Sequence, residues 1–234
     1  MHHAPLPDGD RARAHVRACG VTLSDAQVDH LLAYLALLQR WNATYNLTAV
    51  RDPALMWVQH VLDCLAVVPE LQAWRANLPP ASARTRVLDV GSGGGLPGVV
   101  WAIALPDLEL HCVDTVGKKA AFIRQVAAEL QLRNLQVHHA RVEQLRAGPF
   151  NLVTSRAFSS LADLLNLTRP LLKPGGCWLA LKGKAPDAEI QATGLAAGVF
   201  HVKPIQVPGL DAERCVVWIR NEAAPAAAAG AARG

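Results

Sequence analysis

The stretch RVLDVGSGGGLPG, residues 86–98, constrains the fold of this chain more than any other part of it. Apolar residues lead into Asp89, and glycines then occupy alternate positions: Gly91, Gly93 and Gly95. A loop that turns sharply from a parallel strand into a helix needs glycine, because positive φ angles and close approach to a bulky ligand both exclude a Cβ. The N–H groups that open the following helix suit a phosphate, a carboxylate or a ribose oxygen. The stretch therefore predicts a nucleotide-cradling loop.

The glycine spacing favours S-adenosyl-L-methionine over a nicotinamide cofactor. The dinucleotide fingerprint is G-x-G-x-x-G, and Leu96 occupies the position of its third glycine. A second strand, LELHCVD, ends at Asp114, about twenty residues after the loop, where a carboxylate can accept hydrogen bonds from both ribose hydroxyls. Both cofactors carry such a ribose, so Asp114 does not decide between them. A nicotinamide-dependent oxidoreductase remains an alternative.

Composition places the chain among globular proteins. Its 234 residues are 51% hydrophobic and 18% charged, which is enough to bury a sizeable core. No run of about eighteen apolar residues occurs, and the start lacks a basic region followed by an apolar one, so we expect a cytoplasmic protein outside the membrane. The five cysteines are far apart and fit no zinc or disulfide pattern, so we expect no metal. The net charge of +4 suits an acidic partner.

The part before the glycine loop predicts helices. Ser24, with Gln27 three residues later, predicts a capped helix start, and apolar residues between positions 28 and 38 recur at helical spacing. The polar and aromatic stretch WNATYNLTAVRDP follows and reads as a loop by residue type. Asp52 and Pro53 then predict the start of another helix, in which His60 and Asp63 are three residues apart and share a face. Such a pair either forms an internal hydrogen bond or assists catalysis.

From Arg86 onward strands and helices alternate, which predicts an α/β fold with a doubly wound, mostly parallel, seven-stranded sheet. The last two strand candidates, FHVKPIQV and CVVWIRN, are joined by a short loop and predict an antiparallel hairpin at one edge. We expect a small N-terminal helical extension over residues 1–80, a cofactor-binding domain over residues 81–222 and a disordered, alanine-rich tail over residues 223–234.

Ligands in such a sheet bind outside the carboxyl ends of the strands, so the candidate site can be read from the strand ends. Val142 and Glu143 follow the third strand, where Val142 can pack on an adenine ring and Glu143 or neighbouring backbone can receive its amino group. Arg156 ends the fourth strand, in an otherwise uncharged TSRAF segment. The fifth strand candidate, CWLALKG, begins at Cys177 and leads into Lys182 and Lys184.

The residue types at the fourth strand end also narrow the acceptor. Enzymes that methylate exocyclic amines commonly place Asp or Asn, prolines and an aromatic there, and TSRAF lacks this pattern. Methylation of pyrimidine carbon 5 needs a cysteine nucleophile, and none follows this strand. The remaining acceptor atoms already carry a lone pair, as guanine N7 does. For these the protein has mainly to align the acceptor with the methyl group. A bidentate arginine on guanine would block N7, so cations near the site are predicted to hold phosphates: Arg51, Lys118, Lys119, Arg156, Lys182 and Lys184.

The motifs RWNATYNLTAVRDP, HVLD, LDVGSGGGLPG, VDTVGKK, ARVEQL, TSRAFSSL and ALKGK together resemble the RsmG (GidB) family of bacterial 16S rRNA guanine-N7 methyltransferases, over roughly residues 20–220. The resemblance implies a class I methyltransferase that uses S-adenosyl-L-methionine to modify one guanine of the small-subunit rRNA. It implies cofactor contacts at Gly91, Leu96, Val142, Glu143 and Arg156, with Asp114 at the ribose. It also places Asn46, His60 and Asp63 near the active site, with roles unassigned.

Two further alternatives stay open at this stage. The chain can be a small-molecule methyltransferase, because enzymes with this fold act on many acceptors and the fold does not determine which one. A non-catalytic rRNA-binding assembly factor keeps the cofactor pocket without turnover. A monomer is favoured for the oligomeric state.

Overall fold

The computed structural model describes residues 6–78, 84–156, 158–194 and 200–221. Its N-terminal part holds α1 (Gly9–Ala18), α2 (Asp25–Tyr45), α3 (Pro53–Met56), a π-helical segment (Trp57–Leu62), α4 (Asp63–Leu65) and α5 (Val68–Ala76). Strands and helices then alternate: β1 (Arg86–Val90), α6 (Gly98–Ala104), β2 (Glu109–Asp114), α7 (Gly117–Glu129), β3 (Leu135–His139), a 3-10 turn (Val142–Gln144), β4 (Phe150–Arg156), α8 (Leu161–Thr168), a 3-10 turn (Arg169–Leu171), β5 (Leu172–Lys182), α9 (Asp187–Ala192), β6 (Phe200–Pro204) and β7 (Cys215–Arg220). The predicted boundary near residue 80 and the alanine-rich tail lie outside the described residues.

The sheet has seven strands in the order β3-β2-β1-β4-β5-β7-β6. The pairs among β1 to β5 are parallel, and β7 runs antiparallel to both β5 and β6. This confirms the predicted α/β class and the antiparallel edge hairpin. The strand order reverses between β1 and β4, and a crevice for a ligand forms at such a switch point.

Helices cover both faces of the sheet. One face packs against the N-terminal helices, α6 and α7. Buried residues of these helices and of the sheet form one cluster, among them Leu35, Val61, Val99, Phe122 and Leu152. The other face packs mainly against α8, with Leu88, Val153, Leu164 and Trp178 in its cluster. The N-terminal helices therefore share a hydrophobic core with the sheet.

Helix α2 begins at the predicted cap. The Ser24 side chain accepts a hydrogen bond from the Gln27 N–H, and the Ser24 N–H donates to Gln27 Oε1 at 3.0 Å, which completes a capping box. The Gln27 amide also donates to the carbonyl of Ile103 at the end of α6, at 2.8 Å. The predicted apolar face is buried, apart from a half-buried Leu32. These contacts fix α2 against α6.

The helical segment Pro53–Ala76 is long and apolar enough to cross a membrane by length and composition alone. It begins as predicted, because the Asp52 side chain accepts the N–H of Leu55 and Pro53 occupies the first turn. Within its most apolar stretch 67% is buried inside the protein. The segment is therefore a core helix of this fold.

Strand β5 begins earlier than its apolar sequence indicates. The run CWLALKG predicts a start at Cys177, yet the strand begins at Leu172, which pairs with Phe150. The register shifts between Phe150 and Leu152, and Gly175 adopts a φ of 74°. The KPGG sequence therefore makes an irregularity within a longer strand, because glycine allows the left-handed backbone there.

Candidate active site

The glycine loop after β1 has the backbone that its sequence predicts. Gly91, Gly93 and Gly95 all have positive φ, at 69°, 57° and 88°. A Cβ built on Gly91 meets no described atom within 4 Å, so this face of the loop is open to a ligand. A Cβ on Gly95 would lie 2.4 Å from Val99 Cγ2, so that glycine is required by packing as well.

Asp114, at the end of β2, is hydrogen-bonded to the glycine loop. Its Oδ2 accepts the N–H of Gly93 at 2.9 Å, and its Oδ1 accepts the N–H of Val116 at 2.8 Å. The residue is buried. Because each carboxylate oxygen accepts about two hydrogen bonds, both can still accept a hydroxyl. The position fits the predicted ribose contact.

Val142 and Glu143 form a 3-10 turn after β3, beside Asp114. The N–H of Ala140 donates to the Asp114 carbonyl at 3.2 Å, which holds the start of this segment against the end of β2. Val142 is buried in the apolar cluster on the α8 face, whereas Glu143 is exposed. The turn thus offers an apolar wall and a polar group near the end of the predicted cofactor site.

Asp89 is a fully buried carboxyl beneath the glycine loop. Its Oδ2 accepts the N–H of Gly98 at 3.0 Å, and its backbone carbonyl accepts the Ser92 hydroxyl at 2.9 Å. Its Oδ1 has no hydrogen-bond partner among the described residues. Burial raises the pKa of Asp89 to about 7. The carboxyl therefore titrates near neutral pH.

We expect Asp89→Asn to change how stability depends on pH. The pKa of Asp89 in the folded protein lies above its ordinary value of 3.8, so this group lowers the free energy of unfolding progressively as the pH rises from about 4 to about 7. The difference in melting temperature, wild type minus variant, should therefore fall across that window and level off above it. Thermal melts at matched pH values check this. A difference that stays constant from pH 4 to 8 would show that the carboxyl does not titrate there.

A cavity of about 430 Å³ opens at the carboxyl ends of β4 and β5 and the start of β7. It brings together predicted residues from three distant parts of the chain: His60 and Asp63, Arg156, and Lys182. The hydroxyl of Ser155 donates to the Val90 carbonyl at 2.8 Å, which joins the end of β4 to the end of β1. Arg156 follows Ser155 and lines the cavity, so the end of β4 connects the cavity to the end of β1, where the glycine loop begins.

Asp63 lies between two arginines in this cavity. Its Oδ2 is 3.2 Å from Arg156 Nη1, and its Oδ1 is 2.8 Å from Arg214 Nε. Arg156 Nη1 also donates to the carbonyl of Gln59 at 2.9 Å. One carboxylate between two guanidinium groups leaves an excess positive charge, which favours an anionic ligand.

Sequence reasoning did not single out Arg214. It precedes β7, and its place in the cavity depends on β7 pairing with β5, where Lys182 faces Cys215. The predicted hairpin left open which of its two strands pairs with the rest of the sheet. The pairing of β7 with β5, combined with the predicted strand ends, would have identified Arg214 as a candidate site residue.

His60 is buried and hydrogen-bonded within the protein. Its Nε2 is 2.8 Å from Thr48 Oγ1, which also accepts the N–H of Val50. Burial, with a smaller contribution from the Arg156 charge, lowers the pKa of His60 to about 4. The imidazole is therefore neutral at physiological pH.

The stretch predicted as a loop is partly helical, because α2 continues through Tyr45, and the residues after it form an ordered turn. Asn46 ends the helix in the left-handed conformation, with φ 51° and ψ 55°, and its Oδ1 accepts from Arg51 Nη2 at 2.6 Å. Arg51 Nη1 also donates to the Asn42 carbonyl at 3.1 Å, so the arginine binds the carboxyl end of α2. Asn46 and Arg51 are exposed and are not among the residues that line the cavity.

The predicted phosphate-binding lysines differ in their surroundings. Lys182 Nζ lies 2.9 and 2.8 Å from the two carboxylate oxygens of Glu189, and its side chain is only 14% exposed. Lys118 and Lys184 are exposed and Lys119 is half-buried. The charge of Lys182 is therefore neutralised locally, which makes it the weakest phosphate candidate of the four.

The cysteines are all free and buried. Cys215 does line the cavity, although no cysteine follows β4. Burial raises the pKa of the Cys215 thiol, and it raises that of Cys177 to about 12. Both are therefore thiols rather than nucleophilic thiolates at neutral pH. Among the described residues no group of His, Cys, Asp or Glu is placed to hold a metal ion.

The sheet order, its antiparallel seventh strand, the glycine loop after β1 and the acid at the end of β2 define the fold of a class I S-adenosylmethionine-dependent methyltransferase. The chain is similar to a crystal structure of a SAM-dependent methyltransferase from Aquifex aeolicus, with TM-score 0.50, 15% identity, and coverage of 75% of this chain and 96% of that one. The human methyltransferase 10 domain containing protein has the same TM-score at 11% identity, with 67% and 81% covered.

The chain belongs to the GidB family, described as rRNA small subunit methyltransferase G, whose match spans residues 27–217. It is 61% identical to Ribosomal RNA small subunit methyltransferase G of Leptothrix cholodnii, over 92% of this chain and 96% of that protein. The relative of the same name from Acidovorax sp. (strain JS42) is 55% identical, with 89% and 93% covered. The open glycine loop, the anchored Asp114 and the apolar Val142 fit S-adenosyl-L-methionine as cofactor.

Proposed function

We propose that this protein transfers a methyl group from S-adenosyl-L-methionine to N7 of one guanine in the 16S rRNA of the small ribosomal subunit. The observation that carries the proposal is the positively charged cavity around Asp63, Arg156 and Arg214, which the end of β4 connects to the end of β1 in a member of the GidB family. Its relatives bear names that assign them to small-subunit rRNA. An rRNA substrate also supports a cytoplasmic location.

The side chains in the cavity suit an acceptor that needs no deprotonation. His60 is a neutral imidazole bonded to Thr48, and Asp63 is engaged by two arginines, so neither is arranged as a general base. When bound, the cofactor supplies a methyl on a positively charged sulfur, and the N7 lone pair can take it directly. The protein's part is to align the two groups and to exclude water.

Two sets of residues support the proposed binding mode. Gly91, Gly93, Gly95 and Leu96 with Asp114 would hold the methionine and ribose parts of the cofactor, and Val142 and Glu143 its adenine. Arg156, with Arg214 beside it, would hold an RNA phosphate at the cavity. Asn46, His60 and Asp63 would support this arrangement through the turn after α2 and the two arginines.

The lysines give a prediction about RNA binding. We expect Lys118→Ala and Lys119→Ala to raise KM for the ribosomal substrate severalfold and to reduce its dependence on salt, because each removes about one phosphate contact. Lys182→Ala should instead lower the melting temperature by a few degrees, since it leaves Glu189 without its cation. Methyl-transfer kinetics at several salt concentrations check this. The reverse pattern, with Lys182→Ala alone raising KM, would contradict the assignment.

A panel of acceptors tests the proposal. Transfer of labelled methyl groups is measured to small subunits that lack the modification, to naked 16S rRNA, to a partly assembled particle and to free guanine nucleotides. We expect label on at least one rRNA-containing acceptor and none on free nucleotides. Label on the nucleotides alone would favour a small-molecule methyltransferase. No label anywhere, with cofactor binding shown separately, would favour a non-catalytic assembly factor.

A further inference from the structure

Tyr34 connects the N-terminal helices to the cofactor loop. Its side chain is completely buried on α2, and its hydroxyl donates to the backbone carbonyl of Gly94 at 2.6 Å. A Cβ built on Gly94 would lie 3.2 Å from Leu38 Cδ1, so the next turn of α2 also contacts the loop. Helix α2 is therefore the surface on which the middle of the loop rests.

Packing alone does not account for a tyrosine here. Its neighbours on the buried side of α2 are leucines, and its ring contacts Phe122, with ring centroids 6.3 Å apart. A phenylalanine would fill this volume without the cost of burying a hydroxyl. Burial also raises the pKa of Tyr34 well above its usual value, so the hydroxyl keeps the proton that it donates. The hydroxyl is thus explained by its contact with the loop.

The loop has side-chain anchors at three consecutive residues. Ser92 donates to the Asp89 carbonyl, Gly93 donates to the Asp114 carboxylate, and Gly94 accepts from Tyr34. These partners lie on β1, β2 and α2 respectively. Glycines on both sides of Gly94 leave the backbone there with little intrinsic preference, so these anchors and the backbone hydrogen bonds of the loop together determine its path.

We propose that Tyr34 is a positioning residue that holds the cofactor loop in its binding conformation. Loss of its hydrogen bond would free the Gly94 carbonyl and let the loop leave that conformation, so part of the binding energy would be spent on ordering it. Helix α2 ends at the ordered turn around Asn46, which makes the helix a direct connection between the cofactor loop and that turn. The inference rests on the proposed function only for its kinetic readout.

The test is Tyr34→Phe, which keeps the ring and removes only the hydroxyl. We expect the dissociation constant for S-adenosyl-L-methionine, measured by calorimetry, to rise about tenfold, with a drop in melting temperature of about 3 °C. KM for the cofactor should rise equally, while kcat at saturating cofactor stays within about twofold of the wild-type value. Tyr45→Phe, on the same helix but 41% exposed, is the matched control and should leave cofactor affinity unchanged.

The outcomes separate this inference from the proposed function. A lower melting temperature with unchanged cofactor affinity would overturn it, because the tyrosine would then be structural only. An equal effect of Tyr45→Phe would also overturn it. Calorimetry needs no RNA, so an affinity loss confined to Tyr34→Phe would support the inference even if wild-type protein methylates no rRNA.

Discussion

Arg156→Ala is expected to reduce methyl transfer to the ribosomal substrate by about 100-fold, which corresponds to about 2.7 kcal/mol of transition-state stabilisation. Arg156 ends β4 and lines the cavity, where its guanidinium binds Asp63 and the Gln59 carbonyl. Its removal takes away a proposed phosphate contact and two contacts with the helical segment that carries His60. The free energy of unfolding should fall by only about 1–2 kcal/mol, because Asp63 keeps its contact with Arg214.

Arg86→Ala is the matched control for this experiment. Arg86 is also an ion-paired arginine with 23% of its side chain exposed, bound to Glu109 at 3.0 Å. It begins β1, at the end of the sheet opposite the loop. We expect a similar loss of stability with methyl transfer nearly unchanged. Equal losses of activity and stability in both variants would mean that Arg156 acts only as a structural ion-pair residue.

Asp114→Ala is expected to raise the dissociation constant for S-adenosyl-L-methionine by about 100-fold. Two effects combine: the proposed ribose hydroxyls lose a charged acceptor, and the Gly93 N–H loses the partner that holds the loop. Asp114→Asn should have a smaller effect, since one acceptor oxygen remains. Isothermal titration calorimetry measures both variants without RNA.

Asp8→Ala supplies the control for Asp114. The Asp8 carboxylate also accepts a backbone N–H, from Arg11 at 2.8 Å, but it does so at the start of α1. Its loss should cost about 1 kcal/mol of stability and leave cofactor affinity unchanged. Unchanged affinity in Asp114→Ala would remove the ribose assignment.

The fold and the backbone geometry of the glycine loop could be predicted because their signals are local. The glycine spacing in residues 91–95 predicts the positive φ angles of the loop, and Asp114 marks the end of the next strand. Alternation of strands and helices gave the sheet, and the Ser24 and Asp52 caps gave two helix starts. Each signal depends on residues a few positions apart.

The cavity around Asp63 depends on contacts between distant parts of the chain. Asp63 meets Arg156 and Arg214 only because the N-terminal helices pack on the sheet and β7 inserts beside β5. The sequence likewise gives no reason to rank Lys182 and Lys184 differently as phosphate ligands. In the structure Glu189 on α9 neutralises Lys182. The anchoring of Gly94 by Tyr34 spans sixty residues and has no local signature.

Identification of the methylated nucleoside is the direct test of the proposed methyl transfer to guanine N7 of the 16S rRNA. Small subunits that lack the modification are incubated with the protein and labelled S-adenosyl-L-methionine, and the rRNA is digested and analysed by mass spectrometry. We expect 7-methylguanosine at a single site of the 16S rRNA, formed about 100-fold more slowly by Arg156→Ala and at a nearly unchanged rate by Arg86→Ala. A label on another atom or another base, or an unlabelled rRNA with an intact cofactor-binding protein, would contradict the proposal.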